Sequence, residues 1–263
     1  MRLALRKALP EQRVTLNGLK WGVRDTGGSG PVLVMLPGTL GTSEIYWQQF
    51  EALRVQVRVI GFTWPQVADT VRYADGVLAY LDQQGIARAS IQGSSLGGFV
   101  AQLFAVRHPE RVETLFIGNS LCDPHKRSGR PRTAKQAEAT APSVFRKESI
   151  ERARTFPDND DGLRLLKAVM LEQGEHQIPA RSLKARVLAL LHSEAIPAQR
   201  ISDERIVIID SEDDPIIDST TREQVLARHP GAEAHRFPSG GHFPYISRAA
   251  DYTAILRKRL LET

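Results

Sequence analysis

Short apolar runs alternate with helical stretches along most of the chain, and this alternation restricts the possible folds more than any other feature. The runs carry few charges, which is typical of strands covered on both faces; they are Pro31–Leu36, Val55–Gly61, Ala89–Gln92, Val112–Gly118 and Ile206–Asp210. Helical stretches such as Val67–Gln84 and Leu96–His108 lie between them. The pattern predicts βαβ units, and therefore an α/β fold with a mostly parallel central sheet and helices on both faces.

The alternation is preceded by a hairpin signal and interrupted once. Arg13–Asp25 contains Asn17-Gly18, a pair that supplies the positive φ angles of a two-residue hairpin turn. Between Cys122 and Arg200 no strand is evident, and the charged sequence predicts the helices Ser143–Thr155, Asp161–Gln173 and Pro179–Ala195. The pattern then resumes with a helix at Thr220–His229, a strand at Ala232–Phe237 and a helix at Ser247–Leu261.

This organisation predicts a single domain over residues 1–263, with residues 122–200 as a helical lid insertion above an active site. The chain has 263 residues, of which 41% are hydrophobic and 25% charged, as expected of a globular protein. The single cysteine, Cys122, excludes an internal disulfide. We expect a cytoplasmic protein without a membrane span, because no run of about 20 apolar residues and no apolar signal segment is present.

The excess positive charge is concentrated in one segment. The formal net charge is +5, and Lys126–Lys135 contains five basic residues and no acidic one. Two interpretations follow: a patch that attracts anions, or a solvated loop. No aromatic residue interleaves with these charges and no nucleic-acid-binding motif accompanies them, so we expect no nucleic-acid partner.

The strongest chemical signal is Gly93-Ser94-Ser95-Leu96-Gly97, which lies between a predicted strand and a predicted helix. A strand, a sharp turn and a helix form the context of a nucleophile elbow. Ser95 has glycines two residues before and two residues after it, whereas Ser94 has Gln92 and Leu96 at those positions. The spacing therefore predicts Ser95 as the nucleophile.

A serine nucleophile needs a base, and the base needs a carboxylate that orients it. His242 lies in the flexible, glycine-rich loop after the last predicted strand, where it can reach over the sheet edge. Asp214 lies in the loop after strand Ile206–Asp210 and is our choice for the carboxylate, with Asp213 as the alternative. These residues predict a catalytic triad of Ser95, His242 and Asp214.

Hydrolysis through a tetrahedral intermediate also needs backbone N–H donors for the oxyanion. We expect one donor from Leu96, the residue after the nucleophile, and the other from Thr39 in the loop after strand Val32–Leu36. Three aromatic residues are candidates for an acyl pocket or for the core: Trp47, Trp64 and Phe99. No spacing of cysteine and histidine suggests a zinc site, so we expect neither a metal nor a cofactor.

The chain order Ser95, Asp214, His242 is that of the α/β-hydrolase superfamily, which the sequence resembles over nearly its whole length. Three segments resemble the maspardin-like branch: Gly93–Phe99, Gly118-Asn119-Ser120 and Gly240–Tyr245. Pro37 departs from the superfamily pattern, in which histidine often precedes the oxyanion glycine. The resemblance implies an α/β-hydrolase fold; for the maspardin-like branch it also implies binding and trafficking roles, in some members with an incomplete triad.

The leading hypothesis is a serine hydrolase that cleaves a small or medium carboxylic ester or thioester through an acyl-enzyme on Ser95. One alternative is a non-catalytic, maspardin-like binding protein on a hydrolase scaffold. Another is a different reaction of the same triad, such as lactone opening, C–C bond cleavage or perhydrolysis. Dehalogenase and epoxide-hydrolase chemistry is disfavoured, because those enzymes have aspartate where this chain has Ser95. Substrate identity and oligomeric state stay open.

Overall fold

The computed structural model describes residues 2–126 and 132–262. Its centre is an eight-stranded sheet with the order β1-β2-β4-β3-β5-β6-β7-β8. The strands are β1 (Gln12–Leu16), β2 (Leu19–Asp25), β3 (Val32–Leu36), β4 (Arg58–Thr63), β5 (Ala89–Ser94), β6 (Val112–Gly118), β7 (Ile206–Ser211) and β8 (Glu233–Phe237). Strands β1 and β2 pair antiparallel, β2 joins β4 antiparallel, and every other pairing is parallel. The predicted α/β fold is confirmed.

The strands follow the apolar runs of the sequence closely. The turn between β1 and β2 has positive φ at Asn17 (47°) and Gly18 (76°), as the hairpin signal predicts. The run Val55–Gly61 begins too early, because Val55 lies in a turn with 91% of its surface exposed and β4 starts only at Arg58. Apolar character alone did not locate this boundary.

The helices cover both faces of the sheet. They are α1 (Arg2–Ala8), α2 (Trp47–Leu53), α3 (Thr70–Gln83), α4 (Leu96–Arg107), α5 (Ala134–Ala139), α6 (Pro142–Arg154), α7 (Asp161–Glu172), α8 (Ala180–Leu191), α9 (Ser219–Ala227), α10 (Pro244–Ser247) and α11 (Ala249–Leu261). One large cluster of buried side chains contains residues of α3 and α4, and the other contains residues of α2 and α11. The sheet therefore separates two apolar layers, which is why its central strands read as continuous apolar runs.

Helices α5–α8 form a helical insertion between β6 and β7. The predicted helix Pro179–Ala195 ends four residues early, at Leu191, and the five-residue π-helical turn Gln173–Gln177 was not predicted. The helical insertion has a small core of its own, made of Ala137, Phe145, Ile178, Leu183 and Leu188. Helix α7 instead packs beside α10, in the large cluster that contains residues of α2 and α11. The division into one domain with a lid over residues 122–200 stays a prediction.

The parallel strands all end at one edge of the sheet, and the predicted site residues lie in the loops at that edge. Pro37–Gly41 follow β3, Ser95 follows β5, and Asn119 follows β6. The loop 212–218 follows β7, and Ser239–Phe243 follow β8. Residues far apart in sequence therefore meet where a ligand of an open α/β sheet is expected, outside the carboxyl ends of the strands.

Candidate active site

Ser95 occupies the sharp turn between β5 and α4. Its backbone has φ 57° and ψ −122°, a conformation that costs energy for a residue with a side chain. Its neighbours hold this turn in place: Ser95 N donates to Gly118 O at 3.0 Å, and Ser120 Oγ donates to Ser95 O at 2.7 Å. Such strain at a nucleophile position is the feature expected of an elbow that presents a hydroxyl above the sheet.

The flanking glycines are required by contact with neighbouring backbone. A Cβ on Gly93 would lie 2.0 Å from Gly97 O, and a Cβ on Gly97 would lie 2.0 Å from Leu36 O. Both distances are far below van der Waals contact, and the obstructing atoms are backbone. The glycine spacing that selected Ser95 over Ser94 therefore has a direct steric cause.

His242 and Asp214 are buried and hydrogen-bonded to each other. His242 Nδ1 lies 2.8 Å from Asp214 Oδ2 and 3.0 Å from Oδ1. The two residues expose 1% and 8% of their surface. A carboxylate on Nδ1 fixes the ring orientation and leaves Nε2 as the nitrogen able to accept a proton.

Asp214 is held by three further donors. Asn119 Nδ2 donates at 2.8 Å to Oδ2, while the N–H groups of Ile216 and Ile217 donate to Oδ1 at 2.7 and 3.0 Å. Burial raises the pKa of Asp214, but the charge interaction with His242 and these hydrogen bonds outweigh it and hold the pKa below its usual range. The carboxyl is therefore ionised at neutral pH.

Asp213, the alternative carboxylate, has a different position. Its Oδ1 accepts the backbone N–H groups of Gly240 and Gly241, both at 2.8 Å. Ser247 Oγ also donates to Gly240 O at 2.6 Å. An acidic side chain and a serine hydroxyl therefore tie the glycine backbone around His242 to the rest of the fold, and the expected flexibility of this loop stays a prediction.

The two residues predicted to supply the oxyanion donors lie in α4, directly after Ser95, and in the loop after β3. Leu96 is the first residue of α4, so its N–H has no acceptor within the helix. The loop Pro37–Gly41 passes directly over the elbow, since a Cβ on Gly38 would lie 3.2 Å from Ser95 Cβ. Thr39 lies in this loop and faces the same cavity as Ser95 and His242.

This cavity has a volume of about 160 Å³ and is mostly apolar. Its aromatic lining comes from Phe145, Phe156 and Phe243, with aliphatic residues such as Leu121, Leu190, Leu191, Ile216 and Ile217. Among the described residues, no hydrogen bond joins Ser95 Oγ to the His242 ring, although both side chains line the cavity. Catalytic hydrogen bonds are often long in ligand-free enzymes and shorten when substrate binds.

The three aromatic residues considered for an acyl pocket lie elsewhere. Trp47, Trp64 and Phe99 are buried in the core and do not line the cavity. Trp64 stacks on Tyr73 with ring centroids 4.6 Å apart, and its Nε1 donates to Pro37 O at 2.9 Å. Of the two interpretations, the core is therefore the correct one, and the helical insertion supplies Phe145 and Phe156 to the cavity.

Two site residues were missed by the residue-by-residue reasoning. Asn119 has positive φ (37°) and donates to Asp214; its place in a segment shared with maspardin-like sequences was the available signal. Arg186 lies in α8, and its Nη1 donates to Thr39 O and Gly41 O, both at 2.8 Å. Nothing in the local sequence distinguishes Arg186 from the other arginines of the helical insertion.

The basic segment Lys126–Lys135 is described only at its ends, since residues 127–131 lie outside the described residues. Arg132 lines the cavity and forms a two-pronged ion pair with Glu148. Within residues 2–126 and 132–262, no group of three or more His, Cys, Asp and Glu side chains is arranged to hold a metal ion. No helix of those residues is long and apolar enough to cross a membrane.

A strained serine elbow and a buried Asp–His pair at the carboxyl edge of a mostly parallel sheet define the architecture of an α/β-hydrolase. The sequence model of the alpha/beta hydrolase family matches residues 33–255, and the chain belongs to that family. Among its relatives, maspardin of Danio rerio is 26% identical over 97% of this chain and 84% of that protein. The predicted resemblance to the maspardin-like branch is confirmed.

Solved structures share the fold. A hydrolase from Pseudomonas aeruginosa PA01 superposes with a TM-score of 0.77 at 20% identity, over 96% of this chain and 98% of that one. A thermophilic esterase from Thermogutta terrifontis superposes with a TM-score of 0.75 at 21% identity, over 96% and 98%. At this level of identity the likeness concerns the fold alone.

Proposed function

We propose that this protein is a serine hydrolase that cleaves a carboxylic ester or a thioester through an acyl-enzyme on Ser95. The observation that carries the proposal is the shared cavity: Ser95 at the elbow, His242 on its buried carboxylate and Thr39 all face one apolar space. An apolar cavity suits the acyl chain of an ester. Family membership supports hydrolysis in general, and the cavity supports this bond type.

In the proposed reaction, Ser95 Oγ attacks the carbonyl carbon while His242 Nε2 accepts the hydroxyl proton. Ionised Asp214 stabilises the imidazolium that results. The N–H groups of Leu96 and Thr39 donate to the oxyanion of the tetrahedral intermediate. His242 then gives its proton to the departing alcohol or thiol, and a water molecule hydrolyses the acyl-enzyme by the same steps with His242 again as base.

The test is turnover of p-nitrophenyl esters and acyl thioesters of increasing chain length by wild type, Ser95→Ala and Ser94→Ala. Ser94 is the matched control because it is the neighbouring serine, is 1% exposed and does not line the cavity. We expect Ser95→Ala to reduce kcat by at least about 10³-fold, with Ser94→Ala close to wild type. Equal activity of wild type and Ser95→Ala would defeat the proposal.

The second candidate is a non-catalytic binding role on the same scaffold, which the similarity to maspardin along 97% of this chain favours. It predicts a folded wild-type protein without turnover of any ester, thioester or lactone and without labelling of Ser95 by a fluorophosphonate. Turnover of lactones alone would instead support another reaction of the same three residues.

A further inference from the structure

Arg186 is a fully enclosed arginine at the boundary between the helical insertion and the loop after β3. It is 1% exposed and is among the largest fully buried side chains of the described residues. Its Nη1 donates to the backbone carbonyls of Thr39 and Gly41, each at 2.8 Å. The guanidinium therefore spans the loop that contains the proposed Thr39 oxyanion donor.

The surroundings of Arg186 do not compensate its charge. None of the ion pairs among the described residues includes Arg186, and its Nε has no hydrogen-bond partner. Burial lowers its pKa to about 10, with only the more distant Tyr73 and Glu11 favouring the charged form. A buried cation without a counter-ion destabilises the folded protein, because its hydration is lost and not replaced. An apolar side chain would fill this buried space without the cost of burying a charge. The contacts of Arg186 therefore suggest a role other than packing.

Those contacts restrain a segment whose glycines give the backbone little conformational preference. The loop contains Gly38 and Gly41, and glycine backbone adopts many conformations at similar energy. The carbonyls that accept from Arg186 belong to the peptide planes directly after Thr39 and after Gly41. The Thr39 N–H belongs to the preceding peptide plane, between Gly38 and Thr39, and the plane before that one is held by Trp64 Nε1, which donates to Pro37 O at 2.9 Å. Holding the planes on both sides restricts the direction of the Thr39 N–H.

We infer that Arg186 is a positioning residue that directs the Thr39 N–H at the oxyanion. It also couples the loop Pro37–Gly41 to the residues of α8 that line the cavity. Helix α8 makes this coupling possible because it also supplies Val187, Leu190 and Leu191 to the cavity lining. A shift of α8 on binding an acyl chain would then move the oxyanion donor with it. This inference rests on the proposed hydrolase function.

The test compares Arg186→Met with Arg146→Met. Arg146 is the matched control: it is also in the helical insertion, its Nη2 donates to a backbone carbonyl (Ile178 O, 2.8 Å), and its Nε is likewise buried without a partner. Arg146 does not line the cavity, and none of the hydrogen bonds among the described residues joins its side chain to the loop. Loss of one oxyanion donor costs about 10²–10³-fold, so a donor that is misdirected but present should cost about 10- to 100-fold in kcat.

We expect Arg186→Met to lower kcat for p-nitrophenyl acetate with little change in KM, Arg186→Lys to recover part of the loss, and Arg146→Met to leave kcat within about twofold of wild type. Hydrogen–deuterium exchange of the segment Leu36–Ile45 gives a second readout without catalysis. Its exchange should accelerate in Arg186→Met and stay unchanged in Arg146→Met.

The outcomes separate the two proposals. A wild-type protein without esterase activity would contradict the proposed function. The exchange experiment would still test whether Arg186 restrains the loop after β3. An active wild type in which Arg186→Met matches Arg146→Met in kcat and in exchange overturns the inference. If Arg186→Met does not fold, Arg186→Gln decides, because its amide nitrogen lies two bonds short of the position of Arg186 Nη1 and cannot reach both carbonyls. Wild-type kcat and exchange in that variant would overturn the inference as well.

Discussion

The contact between Asn119 and Asp214 gives a prediction whose magnitude follows from the structure. Asn119→Gly removes the amide donor that lies 2.8 Å from Asp214 Oδ2. Glycine adopts the backbone φ of 37° at this position without strain, so the substitution leaves the turn intact. A hydrogen bond to a charged group contributes about 1.5–3 kcal/mol. If all of it were expressed in the transition state, kcat/KM would fall by about 10- to 140-fold, since 1.4 kcal/mol corresponds to a factor of ten.

We expect the lower end of that range, about tenfold. Asp214 retains the N–H groups of Ile216 and Ile217 and the His242 ring, so it stays ionised and only its orientation is loosened. The measurement is kcat/KM for a p-nitrophenyl ester at pH 7–9, together with thermal unfolding. The matched control is Asn17→Gly, which changes another positive-φ asparagine in the remote β1–β2 turn and should leave kcat/KM unchanged.

Asn119→Asp separates hydrogen bonding from charge. The introduced carboxylate would face Asp214, and two adjacent carboxylates raise the pKa of one of them. When that carboxyl is protonated it can again donate to Asp214, so activity relative to wild type should be higher at pH 6 than at pH 9. A value of kcat/KM for Asn119→Gly within twofold of wild type would refute the reasoning that Asn119 orients the triad carboxylate.

The remaining predictions concern the elbow, the cavity and the acid. Gly97→Ala should give little folded protein in expression and circular dichroism experiments, because its Cβ would lie 2.0 Å from Leu36 O. Leu190→Trp should lower kcat/KM for p-nitrophenyl octanoate at least tenfold more than for the acetate, because the larger ring narrows the 160 Å³ cavity. Asp214 has a depressed pKa in the fold, so its stabilising contribution is complete above the unfolded-state pKa of about 3.9 and disappears as pH falls. In urea titrations, the difference in free energy of unfolding between wild type and Asp214→Asn should therefore shrink between about pH 5 and pH 3.

The sequence predicted the features whose cause is local. The Asn17-Gly18 turn and the apolar strand runs depend on neighbouring residues, and the glycines around Ser95 report a steric conflict within one turn. The order of the candidate nucleophile, acid and base along the chain then placed all three at one sheet edge. The start of β4 was misjudged at Val55, because an exposed valine looks the same in sequence as a buried one. The end of α8 at Leu191 was misjudged as well.

Features that depend on contacts between distant segments could not be derived in this way. The sequence favoured Asp214 over the adjacent Asp213 but kept both as candidates, and only the packed loops bring Asp214 to the His242 ring and Asp213 to Gly240 and Gly241. The source of the aromatic cavity lining and the contact of Arg186 with the loop after β3 depend on how the helical insertion packs. No local pattern encodes either.

The central claim is that Ser95 becomes covalently acylated with His242 as its base, and fluorophosphonate labelling followed by peptide mass spectrometry tests it most directly. Trypsin cleavage after Arg88 and Arg107 releases a peptide that contains Ser90, Ser94 and Ser95, so fragmentation must locate the adduct. The account predicts one equivalent of label on Ser95 and labelling at least about 100-fold slower in His242→Gln. Labelling that is absent from Ser95 in the folded wild type, or equally fast without the imidazole, would contradict it.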